Sequence, residues 1–253
     1  MTAVNGDQTA ALYGNGEPSN HALRVNLGTG AFVLTAVEQE VLESPAFLDS
    51  GLLAGASSSN HSAAKYYIEG TVNGAGSAIH WLQQRYPDLK VDEILQSTLS
   101  SDDQQAIFIN AVGNMGSPIW RSDISAHFID KKIIQSDSRQ AVVAVLESIV
   151  FMLAINIQRM RQIKSGLQKI DISGGLSSLD YVCQALANLV KLRVERSQDT
   201  EATARGIAWL SRPGKECWKS GRIDKSWQPK VDDALQGRYR QFRQYLKDQY
   251  RID

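Results

Sequence analysis

The turn Gly28-Thr29-Gly30 contains residue types that could bind an anion. It lies between two short apolar runs, Leu23–Leu27 and Ala31–Ala36, which predict two strands joined by a hairpin. Glycine permits positive φ and close approach of a ligand, so the turn could offer backbone N–H groups and one hydroxyl to a phosphate. A hairpin turn without a ligand explains the same residues, and both interpretations stay open at this point.

A second glycine turn, Ser173-Gly174-Gly175, follows the predicted strand Lys169–Ile172 and precedes a helical apolar pattern. The free N–H groups and the dipole at a helix N-terminus favour a bound anion, so this position suits a phosphate or a nucleotide. The spacing differs from Gly-x-Gly-x-x-Gly, which excludes a Rossmann dinucleotide site.

Two further segments could contribute to such a site. Asp7 precedes a short predicted helix, and a carboxylate within hydrogen-bond reach of a hydroxyl can orient and deprotonate it. Capping of that helix is the alternative role for Asp7. Gly74 and Gly76 lie near the start of another predicted helix, where small residues permit close contact with a ligand or equally with a neighbouring segment.

The composition is that of an ordinary globular protein. The chain has 253 residues, of which 43% are hydrophobic, and its 27 Lys and Arg balance its 27 Asp and Glu. This balance argues against a dedicated nucleic-acid-binding protein. Two cysteines, Cys183 and Cys217, suggest neither a disulfide framework nor a zinc site. Because no leader pattern opens the sequence and the longest apolar stretch, Ala141–Ile157, contains Glu147, we expect a cytoplasmic protein without a membrane span.

The remaining pattern predicts an alternation of strands and helices. The predicted elements are a hairpin and loop over Glu38–Asn60, a short strand at Tyr66–Ile68, a helix from Val72 that ends before Pro87, a short helix over Val91–Leu99, a buried strand over Ala106–Val112, a long core helix over Arg139–Ile163 capped by Asp137 or Ser138, a helix through Val182 and Val190, a strand over Leu192–Glu195, a helix over Glu201–Leu210 capped by Thr200, an irregular basic loop over Arg212–Lys230 and an amphipathic helix over Val231–Tyr250. In the basic loop we expect Trp218 and Trp227 to anchor the loop on the protein body, with stacking on a ligand as the alternative.

The motifs, taken in order, resemble the C-terminal half of the FGGY carbohydrate kinases, and most closely the glycerol kinase branch. The resemblance covers Gly6 to Leu210 in collinear order. The matching segments are Gly6-Asp7-Gln8-Thr9-Ala10-Ala11-Leu12-Tyr13-Gly14, Leu27-Gly28-Thr29-Gly30-Ala31-Phe32, Glu69-Gly70, Ala75-Gly76, Trp81-Leu82, Gly116-Ser117-Pro118-Ile119-Trp120, Val145-Leu146-Glu147-Ser148-Ile149, Gly174-Gly175, Gln184 and Glu201-Ala202-Thr203-Ala204.

The resemblance implies an α/β protein of the ribonuclease H-like, actin-like ATPase fold, with a mixed sheet flanked by helices. Residues 1–211 would form the nucleotide-binding domain, and residues 212–253 a basic loop and an amphipathic helix packed on the same domain. The implied reaction transfers the γ-phosphate of ATP, with Mg²⁺, to a hydroxyl of a small polyol or sugar. The implied roles are catalytic base with an indirect contact to the metal for Asp7, polyol contact for Gln8, phosphate contact for Thr29 within Gly28-Thr29-Gly30, and nucleotide contact for Gly76, His80, Gly174 and Gly175. An ordinary surface position on a helix is the alternative for His80.

The sequence departs from the family pattern at four positions. Ser173 stands where the glycine turn usually begins with aspartate, and Leu179 stands where an asparagine near the adenine is usual. Arg121 replaces an acid after the tryptophan of the Gly-Ser-Pro segment, and Asn188 replaces an aspartate. The first two departures weaken the case for tight and selective ATP binding.

The N-terminal domain of the family, which supplies a phosphate loop and most sugar contacts, has no counterpart in this sequence. Because phosphoryl transfer requires a closed, water-poor cleft, we expect the chain alone to have negligible kinase activity. The missing domain could be a separate polypeptide, or it could be lost through truncation of the gene. The alternatives are a degenerate nucleotide-binding or regulatory module and a structural partner, in which an uncovered apolar face favours a homo-oligomer.

Overall fold

A computed structural model of the chain describes residues 6–59, 64–99, 106–130, 137–199, 201–212 and 221–252, and the structural statements below concern those residues. The strands are β1 (Ala22–Leu27), β2 (Ala31–Val37), β3 (Leu53–Ser59), β4 (Ala64–Val72), β5 (Phe108–Ile109), β6 (His127–Phe128), β7 (Lys169–Ser173), β8 (Arg193–Ser197) and β9 (Ile223–Trp227). The α-helices are α1 (Asp7–Ala11), α2 (Pro45–Leu48), α3 (Gly76–Arg85), α4 (Val91–Gln96), α5 (Ser138–Ile163), α6 (Asp180–Val190), α7 (Ala202–Ser211) and α8 (Asp233–Tyr250). Short 3₁₀ helices cover Gln39–Glu43 and Gly175–Ser178.

The described strands form a mixed seven-stranded sheet in the order β3-β4-β2-β1-β7-β8-β9, and β5 pairs with β6 in a separate ribbon. The pairings of β1 with β7 and of β7 with β8 are parallel, and the remaining pairings in the large sheet are antiparallel. Asn26 on β1 lies opposite Ser173 on β7. The carboxyl ends of β1 and β7 therefore lie side by side at one edge of the sheet.

The two faces of the sheet differ in chemistry because side chains alternate along each strand. On β1, Leu23, Val25 and Leu27 are almost fully buried and belong to the main hydrophobic core. Arg24 and Asn26, between them, are only partly buried. The apolar face is covered by α5 and α6, and the polar face is partly covered by α1 and α7.

The long helix α5 is the centre of the core. The carboxylate of Asp137 caps it by accepting a hydrogen bond from the N–H of Arg139 at 2.9 Å, as the sequence predicts. By length and composition alone this helix could cross a membrane, but 94% of its most apolar window is buried inside the domain. Burial in the core explains its composition.

The C-terminal helix α8 is joined to α5 by a buried ion pair. The guanidinium of Arg238 donates to both carboxylate oxygens of Glu147 at 2.8 and 2.6 Å, and the hydroxyl of Tyr181 on α6 donates to the same carboxylate. Burial raises the pKa of Glu147, and the hydrogen bonds and charge of Arg238 oppose that rise. Phe242 packs on Phe151 at 5.3 Å between ring centroids. Residues 233–250 are thus part of the same hydrophobic core.

Two segment predictions are wrong. The predicted irregular loop Arg212–Lys230 contains β9, which pairs with β8 at the edge of the sheet. Four of its five side chains are exposed, so the strand is formed by backbone pairing and leaves no hydrophobic alternation to recognise. The predicted hairpin over Glu38–Asn60 consists of a 3₁₀ helix, a short helix and the edge strand β3, which pairs with β4.

The predicted strand Ala106–Val112 is a strand only at Phe108–Ile109. Its apolar residues are buried, with Phe108 and Ile109 at 0% exposure, but the side-chain amide of Asn110 donates to the carbonyl of Gly74 at 2.7 Å. At Asn110 and beyond, the pattern therefore reflects burial and not strand pairing. Trp227 is 5% exposed, in agreement with an anchor of its loop, whereas Trp218 and the predicted cap Thr200 lie outside the described residues.

Candidate functional site

The Gly28-Thr29-Gly30 loop joins β1 to β2 at the carboxyl edge of β1, where the predicted hairpin is present. Its carbonyl groups accept hydrogen bonds from the start of α3. The N–H of Ala75 and the N–H of Ser77 donate to the carbonyl of Thr29 at 3.1 and 3.0 Å, and the N–H of Gly76 donates to that of Gly28 at 2.9 Å. The loop thus supplies acceptors for N–H groups that a helix N-terminus leaves unpaired.

This arrangement explains Gly76 by packing. A Cβ on Gly76 would lie 2.9 Å from the carbonyl oxygen of Gly28, closer than such a contact allows. Because its N–H is already bonded to Gly28, Gly76 does not offer that N–H to an anion. The sequence left two roles open for this glycine, contact with a ligand and contact with a neighbouring segment. The structure shows the contact with a neighbouring segment, the Gly28–Gly30 loop.

The turn Ser173-Gly174-Gly175 packs against the end of β1. Gly174 has φ +86° and ψ 167°, and a Cβ there would lie 2.6 Å from the Oδ1 of Asn26 and from the carbonyl oxygen of Leu27. Gly175 differs, because a Cβ there would meet no atom within 4 Å. The first glycine is needed for close packing, and the second faces open space that a ligand could fill.

Thr29 and His80 have exposed side chains near this edge. Thr29 lies at the tip of the hairpin, and the hydroxyl of Ser77 holds the backbone by donating to its carbonyl at 3.0 Å. His80 lies one turn along α3, and its Nε2 is 2.8 Å from the side-chain nitrogen of Gln84. The structure therefore brings the three glycine segments and His80 together around one edge.

Asp7 and Gln8 lie on a different element, α1. Gly6 occupies the N-cap position of this helix without a side-chain capping bond, so capping is not the role that the structure gives to Asp7. The carbonyl of Asp7 accepts a hydrogen bond from the hydroxyl of Thr203 at 3.2 Å, in the first turn of α7, which follows the carboxyl end of β8. Asp7 itself is exposed, so its carboxylate is accessible to a substrate.

The position of α1 is fixed by very close packing on α7. A Cβ on Gly206 would lie 1.7 Å from the carbonyl oxygen of Ala10, so only glycine fits between the two helices. Tyr13 stacks on Trp209 with ring centroids 4.9 Å apart. These contacts hold α1, and with it Asp7 and Gln8, against α7.

Sequence reasoning missed the residues that support the edge from behind. The hydroxyl of Ser117 accepts from the N–H of Thr71 at 2.5 Å and donates to the Oδ1 of Asn156 at 2.8 Å. Asn156 is 0% exposed and donates back to the carbonyl of Ser117 at 2.9 Å. The available signal was an amide inside the otherwise apolar pattern of α5, since buried polar groups are nearly always hydrogen-bonded.

The residues that depart from the family pattern have structural partners. Leu179 packs against the main core, and the side-chain oxygen of Asn188 accepts from the N–H of Lys230 at 2.9 Å. Arg121 donates two hydrogen bonds of 2.6 Å to Asp123. These bonds hold the pKa of Asp123 at about 2, against an ordinary value of 3.8.

A metal centre formed by protein ligands is not present in the described part of the chain. Those residues contain no group of three or more His, Cys, Asp and Glu side chains placed to hold an ion. Asp7 is a single exposed carboxylate.

Comparison with known proteins agrees with this geometry. Residues 23–211 match the model of the FGGY family of carbohydrate kinases, C-terminal domain. The glycerol kinase of Listeria monocytogenes serotype 4a is 28% identical over 259 residues, which cover 100% of this chain and 49% of that protein. The glycerol kinase of Synechocystis sp. is 28% identical over 213 residues, with 83% of this chain and 43% of that protein covered. The chain thus spans about half the length of the curated relatives it matches.

Solved structures share the fold. Glycerol kinase from Plasmodium falciparum with ADP superposes with a TM-score of 0.75 at 24% identity, covering 98% of this chain and 51% of that one. Ligand-bound xylulose kinase from Lactobacillus acidophilus superposes with a TM-score of 0.75 at 18% identity, covering 94% and 49%. The expected ribonuclease H-like, actin-like ATPase fold class is therefore confirmed. The chain belongs to the FGGY family of carbohydrate kinases and corresponds to the C-terminal domain of those proteins.

Proposed function

We propose that the chain is the nucleotide-binding half of an ATP-dependent polyol or sugar kinase. The meeting of three glycine segments at the carboxyl edge of β1 and β7, with Gly175 facing open space, is the observation that carries this proposal. Backbone approach without side chains is what a bound nucleotide and its phosphates require. The family relationship and the ADP in the Plasmodium falciparum structure support it.

The residues at this edge would contact different parts of the nucleotide. Thr29, exposed at the tip of the Gly28–Gly30 loop, would hold phosphate oxygens through its hydroxyl. Gly175 would leave room for the nucleoside, Gly174 would let the turn pack closely on the end of β1, and His80 would lie beside the nucleoside. Gly76 would contribute by having no side chain, because its N–H is bonded to the loop.

The first two residues of α1, Asp7 and Gln8, would bind the phosphoryl acceptor. Asp7 would take the proton of the attacking hydroxyl as a general base, and Gln8 would bind the polyol or sugar. ATP supplies the phosphoryl group that the hydroxyl accepts. The described residues do not by themselves fit a magnesium site, since Asp7 has no neighbouring pair of ligands, and no step is assigned to the metal.

The second wall of the cleft would come from an N-terminal kinase domain, on the same polypeptide or on a separate one. The half-length match to the relatives supports the need for such a second half, and without that wall Asp7 remains exposed to water. We expect negligible phosphoryl transfer by this chain alone, because positioning and water exclusion account for most of the catalysis. The cytoplasm, where ATP and reduced thiols are found, is the proposed location.

Calorimetric titration with ADP and with ATP, each with Mg²⁺, tests the nucleotide site. We expect saturable binding that is lost when Gly175→Val fills the open space. Gly237→Val is the matched control, because a Cβ at Gly237 on α8 also meets only one distant atom, at 3.9 Å. Equal affinity in both variants would place the nucleotide elsewhere and contradict the proposal.

The second candidate function is a degenerate nucleotide-binding or regulatory module without catalysis. Ser173 in the turn and Leu179 packed against the core favour it, because neither offers the polar group usual in the family. Absence of nucleotide binding by a folded chain would support a structural role instead, including a homo-oligomer, which sedimentation velocity would detect.

A further inference from the structure

A second concave site lies on the polar face of the sheet. It encloses a volume of about 300 Å³ between the residues that follow α1, the start of α7 and the central strands. This volume is at the lower end of the range of small-molecule sites. Ala11, the last residue of α1, and Gly14, which follows the helix, line one wall, at the opposite end of α1 from Asp7.

The floor of this cavity is a row of charged side chains from three adjacent strands. Arg24 on β1 pairs with Asp171 on β7, and Lys169 bridges Asp171 at 3.0 Å and Glu195 on β8 at 2.8 Å. The side chains of Arg24 and Asp171 are 12% exposed and that of Glu195 is 7% exposed. Burial of so many charges is costly unless they are fully hydrogen-bonded. No step of the proposed phosphoryl transfer uses them.

The charges of the floor cancel. Two cations alternate with two anions, so a charged ligand of either sign would face a like charge about as closely as an opposite one. Hydroxyl groups can donate to a carboxylate and accept from a guanidinium or an ammonium. Ala11, Leu34 and Ile223 also line the cavity and offer apolar contacts to carbon-bound hydrogens.

We infer that this cavity binds a small, neutral, polyhydroxylated molecule, such as a monosaccharide or a short sugar alcohol, through the Arg24–Asp171–Lys169–Glu195 row. Vicinal hydroxyls match the alternation of donors and acceptors, and displacement of water from the floor leaves each charge hydrogen-bonded. The site does not depend on the proposed kinase function, because none of the residues given a role in phosphoryl transfer or nucleotide binding lines it. Asn26 and Ser173 line its far end, one or two positions before the glycine turns.

Nuclear magnetic resonance titration with xylitol and with D-glucose tests this inference on the full chain. We expect saturable shifts of the Arg24 side-chain N–H signals with a millimolar Kd. Asp171→Asn should weaken the affinity at least tenfold, and Ser19→Trp, at the rim of the cavity, should block binding without altering the floor. Lys225→Met is the control, because Lys225 pairs with Asp180 outside the cavity.

Each outcome of that titration decides the inference. Saturable shifts at Arg24 that are lost in Asp171→Asn and kept in Lys225→Met support it. Shifts that stay linear in ligand concentration, or that are unchanged in both Asp171→Asn and Ser19→Trp, overturn it. Polyol-induced shifts confined to Gly174 and Gly175 also overturn it, while leaving the nucleotide proposal intact, since ADP binding is measured separately.

Discussion

Gly174 and Gly175 are adjacent, but the structure predicts that the same added methyl group destabilises the fold at Gly174 and has almost no effect on stability at Gly175. At Gly174, φ is +86° and ψ is 167°, a region occupied almost only by glycine, where another residue is strained by about 1–3 kcal/mol. A Cβ there would also lie 2.6 Å from Asn26 Oδ1 and from the carbonyl oxygen of Leu27, and overpacking of this kind costs about 1–3 kcal/mol. Gly174→Ala should therefore lower the free energy of unfolding by about 2–6 kcal/mol.

At Gly175 a Cβ meets no atom within 4 Å, and the residue begins a 3₁₀ helix. Gly175→Ala should therefore change the free energy of unfolding by no more than about 0.5 kcal/mol. Urea unfolding followed by circular dichroism measures both changes as shifts in midpoint at a common slope. A wild-type midpoint for Gly174→Ala, or an equal loss in both variants, would refute the packing argument for this turn.

Three further predictions concern groups away from the turn. Arg238→Met should lower the free energy of unfolding by about 3–5 kcal/mol, because it leaves the buried carboxylate of Glu147 without its cation and, among the described residues, with only the hydroxyl of Tyr181 donating to it. Asp123 should titrate at about pH 2 in a pH series of carboxyl carbon shifts, and Arg121→Met should return its pKa towards the ordinary range, since the hydrogen bond from Arg121 is the main cause of the lowering. The stabilisation from this pair should be present above the ordinary pKa of aspartate and be lost as the pH falls towards 2. Burial raises the pKa of Cys183 to about 12, so in a variant with the other cysteine replaced by serine, a thiol reagent at pH 8 should label the native chain far more slowly than the unfolded chain.

Each of these predictions has a result that contradicts it. Combining Arg238→Met with Glu147→Gln should recover part of the lost stability, and equal stability of the single and double variants would show that the carboxylate is not the cause. An Asp123 titration near 4 in the unchanged chain would contradict the geometry of its pair. Labelling of native Cys183 as fast as in urea would show that the thiol is not buried.

The features of the candidate site that sequence reasoning predicted are those determined by local chemistry. The hairpin around Thr29 and the strand-to-helix turn at Gly174 follow from glycine between apolar runs, and the parallel pairing of β1 with β7 then brings them to one edge. The partner of Gly76 could not be predicted, because the hydrogen bond from its N–H to Gly28 joins residues 48 positions apart. The contact between Gly174 and Asn26 spans an even longer separation.

The errors in the fold have the same origin. Burial patterns show which residues contact the core, but β9 is held by backbone pairing with β8 at an edge, and its exposed Asp224 and Lys225 carry no signal of that pairing. Conversely, the buried run at Ala106–Val112 looks like a strand although Asn110 bonds Gly74 instead of a neighbouring strand. In both segments the local structure depends on hydrogen bonds to a distant part of the chain, which the sequence pattern does not show.

The hydrogen bonds from the start of α3 to the hairpin tip have a mechanical consequence. The N–H groups of Ala75, Gly76 and Ser77 all donate to carbonyls of Gly28 and Thr29, so the hairpin tip is tied to the start of α3. The helix has ten residues and is therefore about 15 Å long. A displacement of the hairpin tip would shift the start of α3, and a tilt of the helix would carry that shift to Arg85 at its far end.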